Sequence, residues 1–383
     1  MKKIINYANH YIDKQDIFEV NKVLKSNFLT QGPTVGEFEN KIKKYLKVKF
    51  AVSVNSATSG LHLACLALGV KKNDIVWTTP NSFVATANCV IHCGAKIDFV
   101  DIDINTYNIC PVLLEQKLKK TKKKNLPKVI ILVHFSGLPC DLKRIKKLFN
   151  KYNFKIIEDS SHALGANYKN TKVGDCKYSD MSVFSFHPIK SITSGEGGMV
   201  TTNSKRLSES LLILRSHGIL KNRSIFDNRF RIDTHYDQIK LGFNFRMNDI
   251  EASLGISQFK KLKKFIKKRK KIANFYFQKL KKIPVSLPIN SKESSWHLFV
   301  ILIKNFSLRN NLFKFLKKNG IVCQLHYIPI HTHSFYKKMN FKTNDFPNSV
   351  EYYKTCLSLP IFYSLNKKEL NKIVSLIKKF YEH

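Results

Sequence analysis

The chain has 383 residues, of which 66 are Lys or Arg and only 27 Asp or Glu, a formal net charge of +39. With 43% hydrophobic and 12% aromatic residues it can pack a large domain and a smaller one, which excludes a disordered chain. No apolar run reaches the roughly 18 residues of a membrane span, and the start MKKIINYANHYIDKQ lacks a signal-peptide core, so a cytoplasmic protein is expected.

Taken in chain order, residues 35 to about 215 alternate two patterns. Short apolar runs at Ala51–Val54, Ile75–Thr78, Lys96–Val100, Lys128–Val133, Lys155–Glu158, Met181–Phe184 and Gly198–Thr202 read as strands. Between them Val35–Leu46, Ser59–Leu68, Phe83–Cys93, Val112–Leu118, Leu142–Tyr152 and Lys205–Ser216 read as helices. Nearly continuous apolar strands predict an α/β fold, its mostly parallel sheet covered on both faces and its ligand at the strands' carboxyl ends. A long helix is predicted near 250–282, then a strand at Trp296–Lys304, a helix at Leu308–Asn319, a strand at Val322–His326 and a closing helix at Lys368–Tyr381. This second pattern predicts a smaller α+β domain over 256–383 behind a large domain over 1–255.

Much of the charge lies in the segment FKKLKKFIKKRKKIANFYFQKLKKI, where Phe259, Leu262, Phe265, Ile266, Ile272, Tyr276 and Leu280 recur at helical spacing. The lysines there form the solvated face of an amphipathic helix. No RNP, helix-turn-helix or zinc-finger pattern accompanies the charge, so no nucleic-acid partner is expected. The eight cysteines show no CxxC spacing and read as reduced core thiols. Cys89 and Cys93 share a helix face without a His pair beside them, and no metal is expected.

Four segments carry chemistry. VNSATSGLHLA (54–64) puts small hydroxylated residues where a strand meets a helix N-terminus, which suits a phosphate, although Ser and Thr are equally ordinary caps. VWTTPNSFVATANCV (76–90) places Phe83 at a helix start, as a stacking platform for a planar cofactor or as a core aromatic. IIEDSSHALGA (156–166) sets Asp159 just past an apolar strand, where a carboxylate needs a strong partner such as a protonated pyridine nitrogen; a helix cap is the plain alternative. His162 follows it by three residues, beside the same ligand or capping the turn. SVFSFHPIKSITSGEGGMV (182–200) holds Lys190 between an apolar strand and a glycine-rich turn, a partly desolvated spot that lowers an amine's pKa and favours imine chemistry. Ser185 lies within reach of a phosphate there.

These segments, with RSHGIL, GFNFRMNDIEASLGISQ, WHLFVI, QLHYIPIH and SLPIF in the same order, make the chain resemble the DegT/DnrJ/StrS class of sugar aminotransferases from Tyr7 to the C-terminus. The resemblance implies an aspartate-aminotransferase-like fold (fold type I), pyridoxal 5′-phosphate as cofactor, and a homodimer with shared active sites. It implies Lys190 as the Schiff-base lysine and proton carrier, and Asp159 as the partner of the pyridine nitrogen. Thr58, Ser59 and Ser185 would cradle the phosphate, Phe83 stack on the ring, and His162 lie near its phenolic oxygen. Asn244 would reach the phosphate in the neighbouring subunit. Related sugar dehydratases carry His where Lys190 stands, which disfavours that lyase chemistry.

A narrower likeness, in FLTQG, PNSFVATAN, SFHPIKSIT and QLHYIPI, is to the members of the family that serve pseudaminic acid synthesis. It implies a UDP-linked 4-keto-6-deoxy-N-acetylhexosamine as acceptor and L-glutamate as donor. Tyr7, Asn27, Phe28, Leu29 and Thr30 would line the sugar-nucleotide pocket with His326, Tyr327, Ile328 and Pro329. A dTDP-4-keto or a 3-keto sugar is the alternative acceptor.

Overall fold

In the computed structural model, which describes residues 4–221 and 236–382, the alternating patterns become a sheet between two helical layers. Strands β1 (Phe50–Val54), β2 (Ile75–Thr78), β3 (Lys96–Phe99), β4 (Val129–Val133) and β5 (Lys155–Asp159) precede a short hairpin of β6 (Asn167–Tyr168) and β7 (Thr171–Lys172), then β8 (Met181–Ser185) and β9 (Gly198–Thr202). All but the hairpin join one sheet in the order β1-β9-β8-β5-β4-β2-β3. The five strands from β8 to β3 run parallel, and β9 runs against both of its neighbours.

Helices α1 (Lys14–Leu24), α2 (Pro33–Leu46), α3 (Ala57–Ala67), α4 (Ala85–His92), α5 (Pro111–Lys120), α6 (Leu142–Tyr152) and α7 (Lys205–Leu214) supply the covering layers. Val129 and Ile131 of β4 pack with α3, α4 and α7, whereas Ile130 and Leu132 pack with α5 and α6. Every residue of β4 is buried, which is why its sequence is VIILV rather than an alternation.

After the pair β10 (Ile219–Lys221) and β11 (Tyr236–Gln238) come α8 (Asp249–Lys260), α9 (Leu262–Leu280), β12 (Val285–Ser286), β13 (Phe299–Ile303), α10 (Phe306–Lys318), α11 (Ser334–Lys337), α12 (Pro347–Thr355), β14 (Cys356–Leu359) and α13 (Lys367–Glu382). Strands β12, β13 and β14 form a second, antiparallel sheet, whose core is shared with α9, α10 and α13. Ile5 joins that core and bridges Ile321, so the N-terminal segment lies against the second sheet.

Two expectations are corrected. The helix predicted near 250–282 is two helices that meet at Lys261, whose ammonium pairs with Asp16 at 2.7 Å and Asp13 at 2.5 Å. Asp16 is buried and also accepts from Gln258, so α1, which the periodicity did not predict, is held to this joint by charge as well as by packing. Val322–His326 is not a strand: it touches the sheet by one bridge, Gln324 to Ser358, and the edge of β13 is taken by β14. The segment instead turns toward the large sheet, where Gln324, Leu325 and His326 line a cavity. The apolar stripe of α9 is buried as its spacing requires, and Arg269, inside the basic run, faces inward with it. No helix among the described residues is long and apolar enough to cross a membrane.

Candidate active site

Sheet register sets the site. Gly198 at the start of β9 lies opposite Val54 at the end of β1 and Ser185 at the end of β8. Asp159 ends β5 opposite Val133 of β4 and Val183 of β8. The loops that leave these strand ends therefore open on one edge of the sheet, where they surround a cavity of about 550 Å³.

On one side of the cavity stands the N-terminus of α3. Ser56 caps the helix by accepting from the Ser59 N–H at 3.1 Å, and Ser56, Ala57 and Thr58 line the cavity with Ser185. The first N–H groups of a helix have no partner within it, and with hydroxyls around them they make a seat for an anion. The approach is close because residue 198 is Gly: a Cβ there would lie 2.7 Å from the Ala57 nitrogen.

Asp159 is buried, and its carboxylate accepts from Thr86 Oγ1 at 2.7 Å, from Ser161 Oγ at 2.6 Å and from the Ser161 N–H at 3.2 Å. Lys190 lines the same cavity and feels the charge of Asp159. Although the cavity mouth leaves Lys190 partly accessible, protein surrounds the amine, and burial pushes it down to about 8 against the opposing pull of Asp159.

An aromatic wall closes the cavity. The His162 ring stacks beside Tyr327, whose hydroxyl lies 3.1 Å from His162 Nε2. His297 lies behind His162 with ring centroids 4.2 Å apart, and Nδ1 of each is buried without a partner among the described residues. Burial holds both imidazoles well below the usual histidine range and pushes His326 down to about 3, so all three are neutral at physiological pH. His326 bonds Ser358 at 2.9 Å and lies 5.5 Å from the Tyr7 ring, while burial raises the Tyr7 and Tyr327 phenols. Phe83 is 58% exposed at the mouth, 6.2 Å from Tyr327, and is thus no core aromatic. Arg269 reaches this wall from below, donating to the carbonyls of His297 at 3.1 Å and Ile361 at 2.8 Å.

Of the residues singled out in the sequence, Tyr7, Thr58, Phe83, Asp159, His162, Ser185, Lys190, His326 and Tyr327 line this one cavity. Others stand apart from it. The Ser59 hydroxyl is occupied by Asn55 at 2.6 Å, Ile328 is exposed on the loop beyond Tyr327, and Pro329 is buried next to it. Asn27, Phe28, Leu29, Thr30 and Asn244 are exposed and outside the cavity of their own chain. Sequence reasoning missed Ser56, Ser82, Thr86, Ser161, His187 and Glu196, which also line it. Only the spacing of Ser82 and Thr86, four residues apart at a helix start, was there to be read.

The donor set fits pyridoxal phosphate: an amine with lowered proton affinity, a buried carboxylate facing it, an anion seat at α3 and Ser185, and an exposed aromatic at the mouth. Comparison with known proteins agrees. A UDP-4-amino-4,6-dideoxy-N-acetyl-beta-L-altrosamine transaminase of Campylobacter jejuni is 41% identical over 390 residues, covering 99% of this chain and 100% of that protein. Helicobacter pylori PseC, an aminotransferase involved in the biosynthesis of pseudoaminic acid, superposes with a TM-score of 0.90 at 35% identity, covering 99% of this chain and 100% of that one. NtdA of Bacillus subtilis, solved with bound cofactor PMP, superposes with a TM-score of 0.85 at 25% identity, over 97% of this chain and 83% of that one. The model of the DegT/DnrJ/EryC1/StrS aminotransferase family matches residues 10–378, and the chain belongs to that family.

Proposed function

We propose that this chain is a pyridoxal-phosphate-dependent transaminase that moves the amino group of L-glutamate to C-4 of a UDP-linked 4-keto-6-deoxy-N-acetylhexosamine, a cytoplasmic step toward pseudaminic acid-type glycans. The observation that carries the reading is that Lys190 and Asp159 open on one cavity, with the Lys190 amine lowered to about 8. The names of the Campylobacter and Helicobacter relatives support the acceptor.

When bound, pyridoxal phosphate supplies a carbon that receives and gives up the amino group, and a ring that draws off the electron pair of a broken C–H bond. The chain's own residues do the rest. Near neutral pH a lysine lowered to about 8 is neutral in an appreciable fraction of molecules, so its Nζ can take a proton from a substrate carbon and return it elsewhere. Asp159, its carboxylate fixed by hydroxyl and N–H donors, would pair with the ring nitrogen and help it retain a proton. Ser56, Thr58 and Ser185 with the α3 N-terminus would hold the phosphate, and Phe83 at the mouth would offer its face to the ring. Tyr7, His326 and Tyr327 offer phenol and neutral imidazole groups to a sugar without adding a competing cation.

The dimer belongs to the same proposal. Asn27–Thr30 and Asn244 lie outside their own cavity, and the reading assigns them to that of a second copy.

Incubating the purified protein with cofactor, glutamate and the UDP-4-keto sugar tests it, with products followed by NMR. Expected are 2-oxoglutarate and a 4-amino sugar, and in Lys190→Ala a loss of roughly four orders of magnitude or more in turnover. Unchanged turnover in that variant would remove the reading. Preference for a dTDP-linked or 3-keto sugar would move the acceptor while keeping the chemistry.

A further inference from the structure

We propose that Thr86, backed by Ser82, is a positioning residue that fixes the Asp159 carboxylate toward the cavity. The inference rests on the reading of Asp159 given above. Two of the donors to Asp159, the Ser161 N–H and hydroxyl, both bind Oδ1 and come from the same loop. Oδ2 is held by Thr86, which lies on α4 and is 73 positions away in sequence. Without it the carboxylate would be held at Oδ1 alone, by one loop, and the plane of the group could pivot about that anchor.

The direction of this contact follows from chemistry. A carboxylate has no proton to give, so the Thr86 hydroxyl proton points at Asp159. That leaves the Thr86 oxygen as acceptor for Ser82 Oγ, which lies 2.7 Å away. Both residues are buried, Ser82 at 3% and Thr86 at 1% exposure, so water competes little for these bonds. The relay runs Ser82 to Thr86 to Asp159, and its helix is the one whose entry presents Phe83 at the mouth. One element thereby sets both the ring platform and the carboxylate.

The experiment uses T86V, T86S and S82A, with D159N as reference. It measures the dissociation constant for pyridoxal phosphate, the pH midpoint of the visible band of the bound cofactor, and the melting temperature of each apoprotein. T86V keeps the volume and removes the donor; T86S keeps the donor and removes a methyl. T86V is expected to bind the cofactor about ten-fold more weakly and to move the midpoint by about half a unit or more, with T86S within about two-fold of the parent and S82A in between. A purely structural role predicts the opposite order, because the methyl would then matter more than the hydroxyl. T86V that binds and titrates like the parent, or T86S as damaged as T86V, would overturn the proposal. Should T86V not fold, S82A decides: parental affinity and midpoint there would overturn the relay. If D159N itself bound and titrated like the parent, the failure would lie in the reading of Asp159.

Discussion

At the scale of single residues, burial decides which groups carry charge. The Lys190 amine is lowered from 10.5 to about 8, while His162, His297 and His326 are held neutral. Only a neutral amine attacks an aldehyde, so loading of the apoprotein with cofactor should accelerate with rising pH and level off above about 8, where an ordinary lysine would still be climbing. Stopped-flow absorbance across that range checks it, and a profile that keeps rising toward 10.5 would contradict the depressed amine. Stability carries the same signature with a definite sign. Between about 8 and 10.5 the unfolded chain holds a proton on residue 190 that the fold has released, so apoprotein stability gains with pH in that window. Lys190→Met should remove that part of the gain. The buried neutral histidines carry the same sign at lower pH: below about 6.5 the unfolded chain takes up protons on residues 162 and 297 that the fold refuses, so stability falls as the pH drops through that value.

At the scale of elements, the site depends on how closely α3 can approach β9. A Cβ on Gly198 would meet the Ala57 nitrogen and the Ser56 carbonyl carbon at 2.7 Å, and these are backbone atoms that cannot rotate away. Gly198→Ala should push the N-terminus of α3 off the sheet edge and weaken the anion seat selectively. Affinity for pyridoxal phosphate is expected to fall about ten-fold, while affinity for pyridoxal, which lacks the phosphate, changes little. An equal loss for both ligands in a binding titration would place the damage elsewhere. The main sheet was legible in the sequence because its central strands are buried on both faces and read as apolar runs, as VIILV does, while the edge strand β3 still shows a short alternation in KIDF. Helix α1 was not, since KQDIFEVNKVL leaves Ile17 and Phe18 exposed and buries Asp16, the reverse of an amphipathic pattern. Val322–His326 has strand composition, yet its residues serve the cavity instead of a sheet. Within the site, Lys190 and Asp159 stood out because charge next to an apolar strand is costly. Ser56, Ser82 and Thr86 did not, because small hydroxylated residues at helix starts are what any helix would carry, and only the fold shows what they face.

At the scale of the whole molecule, the segments that supply nothing to their own cavity carry exposed apolar groups. Phe28 is 55% and Leu29 48% exposed, next to a chain of α1 residues that includes Phe18 at 62%, and Leu241 near Asn244 is 84% exposed. The segment is nevertheless fixed: the buried Asp249 carboxylate accepts from the N–H of Gly32 at 2.8 Å and of Thr34 at 2.9 Å, and the Leu29 carbonyl accepts from the Asp249 N–H. An ordered segment with exposed apolar side chains suits a second copy, and in a closed two-fold pair whatever one chain lends it also receives. The proposed sharing has a consequence that dimerisation alone does not. Homodimers of Lys190→Ala lack the amine in both sites, and homodimers of Asn244→Ala lack the lent amide in both. In a mixed dimer one site combines the intact Lys190 of one chain with the intact Asn244 of the other, and the second site carries both defects. Random pairing on co-expression makes about half the dimers mixed, so about a quarter of all sites are whole and activity should recover to that level. If Asn244 acted within its own chain, no pairing could reunite it with Lys190, and the mixture would show no more activity than the two homodimers added together.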